Sequence, residues 1–140
     1  MEVREGEGWR LEHDPARHPF VVLLGGGPEQ GGWAAELTAA EATALRGAVL
    51  RLQAEHAALV PLLLEEEAID LELEVACAAG TLWLGLGGRR SHWCLRFVLS
   101  PGPGQRALEG SWNAAASAAM AAALAALPLG EGAGSESDSS

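Results

Sequence analysis

The chain has 140 residues, 49% of them hydrophobic, and a formal net charge of -10. That length suits one domain with a real core and leaves no room for two, while the charge argues against any binding mode that neutralises a long run of phosphates. All nine basic residues are Arg and none is Lys, a bias of genome composition rather than of function.

From the N-terminus, Trp9, Leu11 and His13 alternate with Arg10, Glu12 and Asp14, the period of a half-buried strand. Asp14-Pro15 marks a turn. The apolar run 20–24 reads as a second strand, closed by a flexible Gly-rich loop over 25–32, and residues 33–37 form a short third strand. Thr38 and Glu41 have the spacing of a capping box, so a helix starts there. Its stripe of Leu45, Val49, Leu52, His56, Leu59 and Leu63 steps by three and four, and Pro61 ends or kinks it.

After Glu65, Glu66 and Glu67 the period returns to two. Ile69, Leu71, Leu73 and Val75 face the core and Asp70, Glu72 and Glu74 face water. A turn at 79–80 leads to Leu82, Leu84 and Leu86, with Trp83 on the other side. A hairpin tip at Gly87, Gly88, Arg89 and Arg90 leads into a strand over 92–99. A loop over 100–104 is followed by a fourth strand over 106–112, and Asn113 caps an Ala-rich helix that ends near Pro128. The order is three strands and a helix, then four strands and a helix. Trp33 and Trp112 each precede a capped helix, which suggests two pseudo-repeats, about 8–64 and 65–128, within a single α+β domain over 1–128. Residues 129–140 are expected to be a disordered acidic tail.

Chemistry is sparse along this pattern. His13, His18, His56 and His92 form no metal-spaced pair, and His56 sits on the buried stripe of its helix as a hydrogen-bonded core histidine. No phosphate-binding loop or nucleophile elbow is present, and no acidic loop has calcium-binding spacing. An enzyme would have to use His92 with Cys94 or His13 with Asp14. Cys77 and Cys94 read as reduced, buried thiols. No apolar tract is long enough to cross a bilayer and the acidic N-terminus lacks a basic targeting start, so a cytoplasmic protein is expected. Trp83 stands out, because its leucine neighbours claim the buried side and leave the indole on the face that carries Arg96.

The segments EGEGWRLEHDP (5–15), GGWAAELTAAE (31–41), EEEAIDLELE (65–74), TLWLGLGG (81–88) and LRFVLSPGPGQRALEGSW (95–112) resemble a cyanobacterial family of unknown function. Its known folds are classed with the Whirly-like, single-stranded-DNA-binding transcriptional regulators. The resemblance spans about 5–128 and implies antiparallel sheets with two helices, built as a duplicated strand-rich plus helix unit. The DNA-binding members use basic, Lys-containing strands, whereas this chain has an acidic strand at 70–74. The expectation is a non-enzymatic binding or regulatory protein, monomer or homodimer, without cofactor or metal. It would contact a protein, basic in character, through a sheet face carrying Trp83, Arg96, Glu72 and Glu74, with Arg89 and Arg90 at its tip. The alternative that the resemblance implies is a single-stranded nucleic-acid-binding protein using Trp83, Arg89, Arg90 and Arg96.

Overall fold

The structure, a computed structural model, describes residues 1–17, 20–26, 32–77 and 80–129. His18, most of the Gly-rich loop (27–31), residues 78–79 of the turn and the tail from 130 onward lie outside the described residues. The elements in chain order are β1 (Glu2–Gly6), β2 (Trp9–His13), β3 (Val21–Gly25), β4 (Trp33–Leu37), α1 (Ala39–Leu59), β5 (Ile69–Cys77), β6 (Gly80–Gly88), β7 (Trp93–Ser100), β8 (Leu108–Trp112) and α2 (Ala114–Ala125). They build an α+β fold of two antiparallel four-stranded sheets, ordered β1-β2-β3-β4 and β5-β6-β7-β8, with two helices.

The first sheet has one strand more than the sequence predicts. β1 carries Glu2, Arg4 and Glu5 and shows no apolar alternation; its ladder with β2 and its charges hold it. Arg10 on β2 bonds both Glu5, at 2.7 Å, and Glu12, at 2.8 Å, and these two carboxylates raise its pKa above the ordinary guanidinium value, with the Glu12 bond the larger cause. Smaller corrections fall in the second sheet. The hairpin tip is residues 89–92, closed by Arg89 N–H donating to His92 O at 2.7 Å, so β7 starts at Trp93. Gly88, at φ +148, abuts the His92 carbonyl, where a Cβ has no room. β8 starts at Leu108 rather than at 106.

The capping box is present as read. Thr38 Oγ1 accepts from Glu41 N at 3.2 Å, and Glu41 Oε1 accepts from Thr38 N at 3.0 Å. α1 stops at Leu59 and Pro61 sits in a following 3-10 turn, where its missing N–H costs nothing. Leu45, Val49, Leu52 and His56 are buried, but Leu59 and Leu63, past the end of the regular stripe, are only half-buried. α2 is capped by Asn113, whose Oδ1 accepts from Ala116 N at 2.8 Å. Leu129, expected in the tail, is buried.

Each helix reaches beyond the sheet it follows. α1 comes after the first sheet yet packs mainly on β5 and β6; α2 packs on β7 and also on β1 and β2. The buried apolar residues of both sheets and both helices make one cluster, and each fully buried Leu in it contributes about 1.5–3 kcal/mol. Ser117 of α2, wholly buried, locks helix to sheet: its Oγ donates to Trp112 O at 3.0 Å and accepts from Leu95 N at 2.9 Å.

The sheets meet at a tryptophan seam. Trp33 Nε1 donates to Ser111 O at 2.9 Å, and the ring packs edge-on against Trp112, 5.0 Å away, and Phe97, 5.7 Å away. Gly25 and Gly110 leave the space the indole fills; a Cβ on either would lie 2.5 Å from it. Counted from the caps Thr38 and Asn113, Trp112 corresponds to Leu37 and Trp33 to Leu108. The two tryptophans are therefore partners across the seam, and not equivalent positions of a repeat.

Candidate functional site

The outer face of the second sheet is built by strand alternation. β5 contributes Asp70, Glu72 and Glu74, β6 Trp83 between leucines that point inward, β7 Cys94 and Arg96, and β8 Glu109 and Ser111. The ladder sets Glu72, Gly85, Arg96 and Ser111 in one row across the four strands. Trp83, two residues before Gly85 on the same strand, leans over that glycine into the gap between Glu72 and Arg96. A Cβ on Gly85 would lie 2.6 Å from the ring. The glycine is what lets the indole lie down on the sheet.

Both flanking charges then engage the ring. Its Nε1 donates to Glu72 Oε1 at 2.7 Å, and the Arg96 guanidinium carbon lies 4.9 Å from the ring centroid. A cation over an exposed indole contributes about 0.5–1 kcal/mol; here it also fixes the plane of the ring. Trp83 is half-buried while Glu72, Glu74 and Arg96 are exposed. A cavity of about 470 Å³ opens beside it, floored by Gly85 and Gly87 and bounded by Asp70, Cys94, Arg96, Ser111 and Asn113. The face has four carboxylates (Asp70, Glu72, Glu74, Glu109) and, among the described residues, one guanidinium (Arg96).

The other predicted residues are not drawn in. Arg89 and Arg90 are exposed at the β6–β7 tip, six and seven residues beyond Trp83, about 20 Å or more at ordinary strand rise. The tip is tied instead to α1, where buried His56 Nε2 meets Arg89 O at 3.1 Å. His92 precedes β7 and so does not share a strand face with Cys94; it lines an adjoining cavity with Asp70 and Arg89. Cys94 is exposed, contrary to the expectation of a buried thiol, because it alternates outward with Arg96. Cys77 is buried at the inner end of β5, and burial, then the nearby Glu41 charge, push its thiol pKa up. His13 is buried with its ring 5.6 Å from Phe20, and Asp14 Oδ1 accepts from Ala16 N in the turn. Among the described residues no cluster of three His, Cys, Asp or Glu side chains could hold a metal ion, and no helix is long and apolar enough to cross a membrane.

One arrangement escaped sequence reasoning. Gly6, Trp9, Gly25 and Trp33 form a row across the first sheet, bordering a cavity of about 510 Å³. Only the register reveals it.

Comparison with known proteins bears on the whole chain. A family model described as "Domain of unknown function (DUF1818)" matches residues 4–127. The chain belongs to the DUF1818 family. A search of curated proteins finds no match. Among solved structures, a protein of unknown function from Prochlorococcus sp. NATL2A, described as of the DUF155 family, is similar at 28% identity and a TM-score of 0.76. The match covers 89% of this chain and 96% of that one. The matched span runs from within β1 to beyond α2, and membership of DUF1818 assigns no activity.

Proposed function

We propose that this DUF1818 protein is a non-enzymatic binding module, acting in the cytoplasm, that holds a cationic segment of another protein on the outer face of its second sheet. The observation that carries the reading is the indole of Trp83 held between Glu72 and Arg96, fixed on an otherwise acidic surface. A half-buried Trp held at both sides loses little side-chain freedom on binding, which favours its use as an anchor. The surrounding carboxylates select for Arg and Lys and speed the approach of a basic partner.

The two capped four-strand-plus-helix halves support a Whirly-like assignment, and with it single-stranded nucleic acid as a second occupant, the bases stacking on Trp83. The four carboxylates of this face repel phosphates, which places that reading second. Titration of isotope-labelled protein with an Arg-rich peptide, and separately with an oligothymidylate at low salt, separates the two. The peptide is expected to shift the Trp83 indole and Arg96 signals and to bind Trp83→Ala about tenfold more weakly. Oligonucleotide binding at that face, or silence with cationic peptides at millimolar concentration, would overturn the proposal.

A further inference from the structure

β5 is the free edge of the second sheet, since among the described strands it pairs with β6 alone. Such an edge presents a row of backbone donors and acceptors that another strand can complete. Ordinary edges are short or interrupted, but β5 runs for nine residues with no Gly, Pro or bulge in its register with β6. Its inner row is also unfinished. Ile69, Leu71, Leu73 and Val75 are only half-buried, whereas Leu82, Leu84 and Leu86 on the neighbouring strand are at most 1% exposed. A further strand alongside would cover that row.

The outer row decides what the strand must be. Antiparallel pairing of two β5 edges about Leu73 would set Glu72 of one copy opposite Glu74 of the other, twice over. Like charges directly opposite destabilise a strand pair, so Glu72 and Glu74 guard against a second copy in that register. The same row matches a strand with cations at alternate positions. We infer that the β5 edge accepts a fifth strand from the partner, an extended segment alternating Arg or Lys with branched apolar residues. The cations then face Asp70, Glu72 and Glu74, and the apolar residues extend the row of Ile69, Leu71, Leu73 and Val75. This rests on the cationic partner proposed above and adds that its backbone lies beside β5, the neighbour of the strand that carries Trp83.

Amide hydrogen exchange on the full chain tests it, with a capped heptapeptide alternating Arg and Val as the probe. In the free protein, alternate β5 amides point outward and exchange fast. Near saturation with the peptide they are expected to slow by about tenfold, and Trp83→Ala, brought near saturation at a higher peptide concentration, is expected to show the same β5 protection. A Glu/Val heptapeptide and an Arg/Val heptapeptide with a central Pro should give no such protection. The double variant Asp70→Asn, Glu74→Gln, which keeps the Glu72–Trp83 bond, should weaken peptide binding about fivefold, as expected for two exposed ion pairs. Shifts at Trp83 without β5 protection overturn the inference and leave the face reading standing, as does protection lost in Trp83→Ala. Protection that rises with protein concentration and no peptide overturns it in favour of a second copy. Absence of any peptide binding overturns both.

Discussion

In the first sheet Trp33 lies over Gly25 and Gly110 and faces the seam; in the second, Trp83 lies over Gly85 and faces outward. The local device is the same, a glycine giving room for an indole to lie on a sheet. The partner of the ring N–H differs. Trp33 donates to a backbone carbonyl, Ser111 O, and Trp83 to a mobile-ended side chain, Glu72. An N–H committed to backbone, with aromatic rings against both its neighbours, makes a structural joint. An N–H committed to an exposed carboxylate, with a cation over the ring, makes a surface whose contacts can be exchanged for those of a partner.

If that contrast is right, removing the two rings has unequal costs. Trp33→Ala should destabilise the fold by about 3–5 kcal/mol, whereas Trp83→Ala should lower stability by about 1 kcal/mol or less; denaturant unfolding of both variants checks the difference, and equal losses would break the comparison. Next in size are the glycines. Gly110→Ala drives a Cβ into a ring that cannot yield and should cost about 1–3 kcal/mol. Gly85→Ala lifts an indole that can swing into water, so stability should stay within about 0.5 kcal/mol while the Trp83 indole N–H resonance moves as its Glu72 bond is lost.

The smallest expected effect contrasts the two sulfurs of the same sheet. Cys77, inward on β5, has its pKa raised above the ordinary thiol value of 9.0, so below that pH neither the folded nor the unfolded thiol is ionised and it adds no pH dependence. As pH rises above it, the unfolded thiol ionises first and stability falls. Cys77→Ala should flatten that alkaline decline in thermal unfolding scans. Cys94, outward on β7 and exposed, should be alkylated by iodoacetamide in the folded protein while Cys77 is protected.

What could be read in advance follows the range of each interaction. The Thr38–Glu41 box, the period of β5 and the outward placement of Trp83 and Arg96 are set by residues within a few positions of one another, and the sequence shows them directly. β1 was hidden because its stability comes from Arg10 reaching Glu5 and from ladder bonds, neither of which leaves an apolar alternation. The Trp33–Ser111 bond spans 78 positions, and no local pattern predicts it. The candidate site lies between these limits. Alternation put Trp83 and Arg96 on one face, but only the strand register brought Glu72 to the indole and left Arg89 and Arg90 at a distant tip.

The way α1 leaves its own sheet to pack on β5 and β6 has a consequence for synthesis. A chain made from its N-terminus completes β1 to β4 and α1 before the strands that cover Leu45, Val49 and Leu52 exist. During that interval the stripe has no native cover, and closing it must wait for a contact between distant parts of the chain. The nascent first half is thus an apolar surface waiting for its second half, and a released fragment ending near residue 65 would be prone to aggregate.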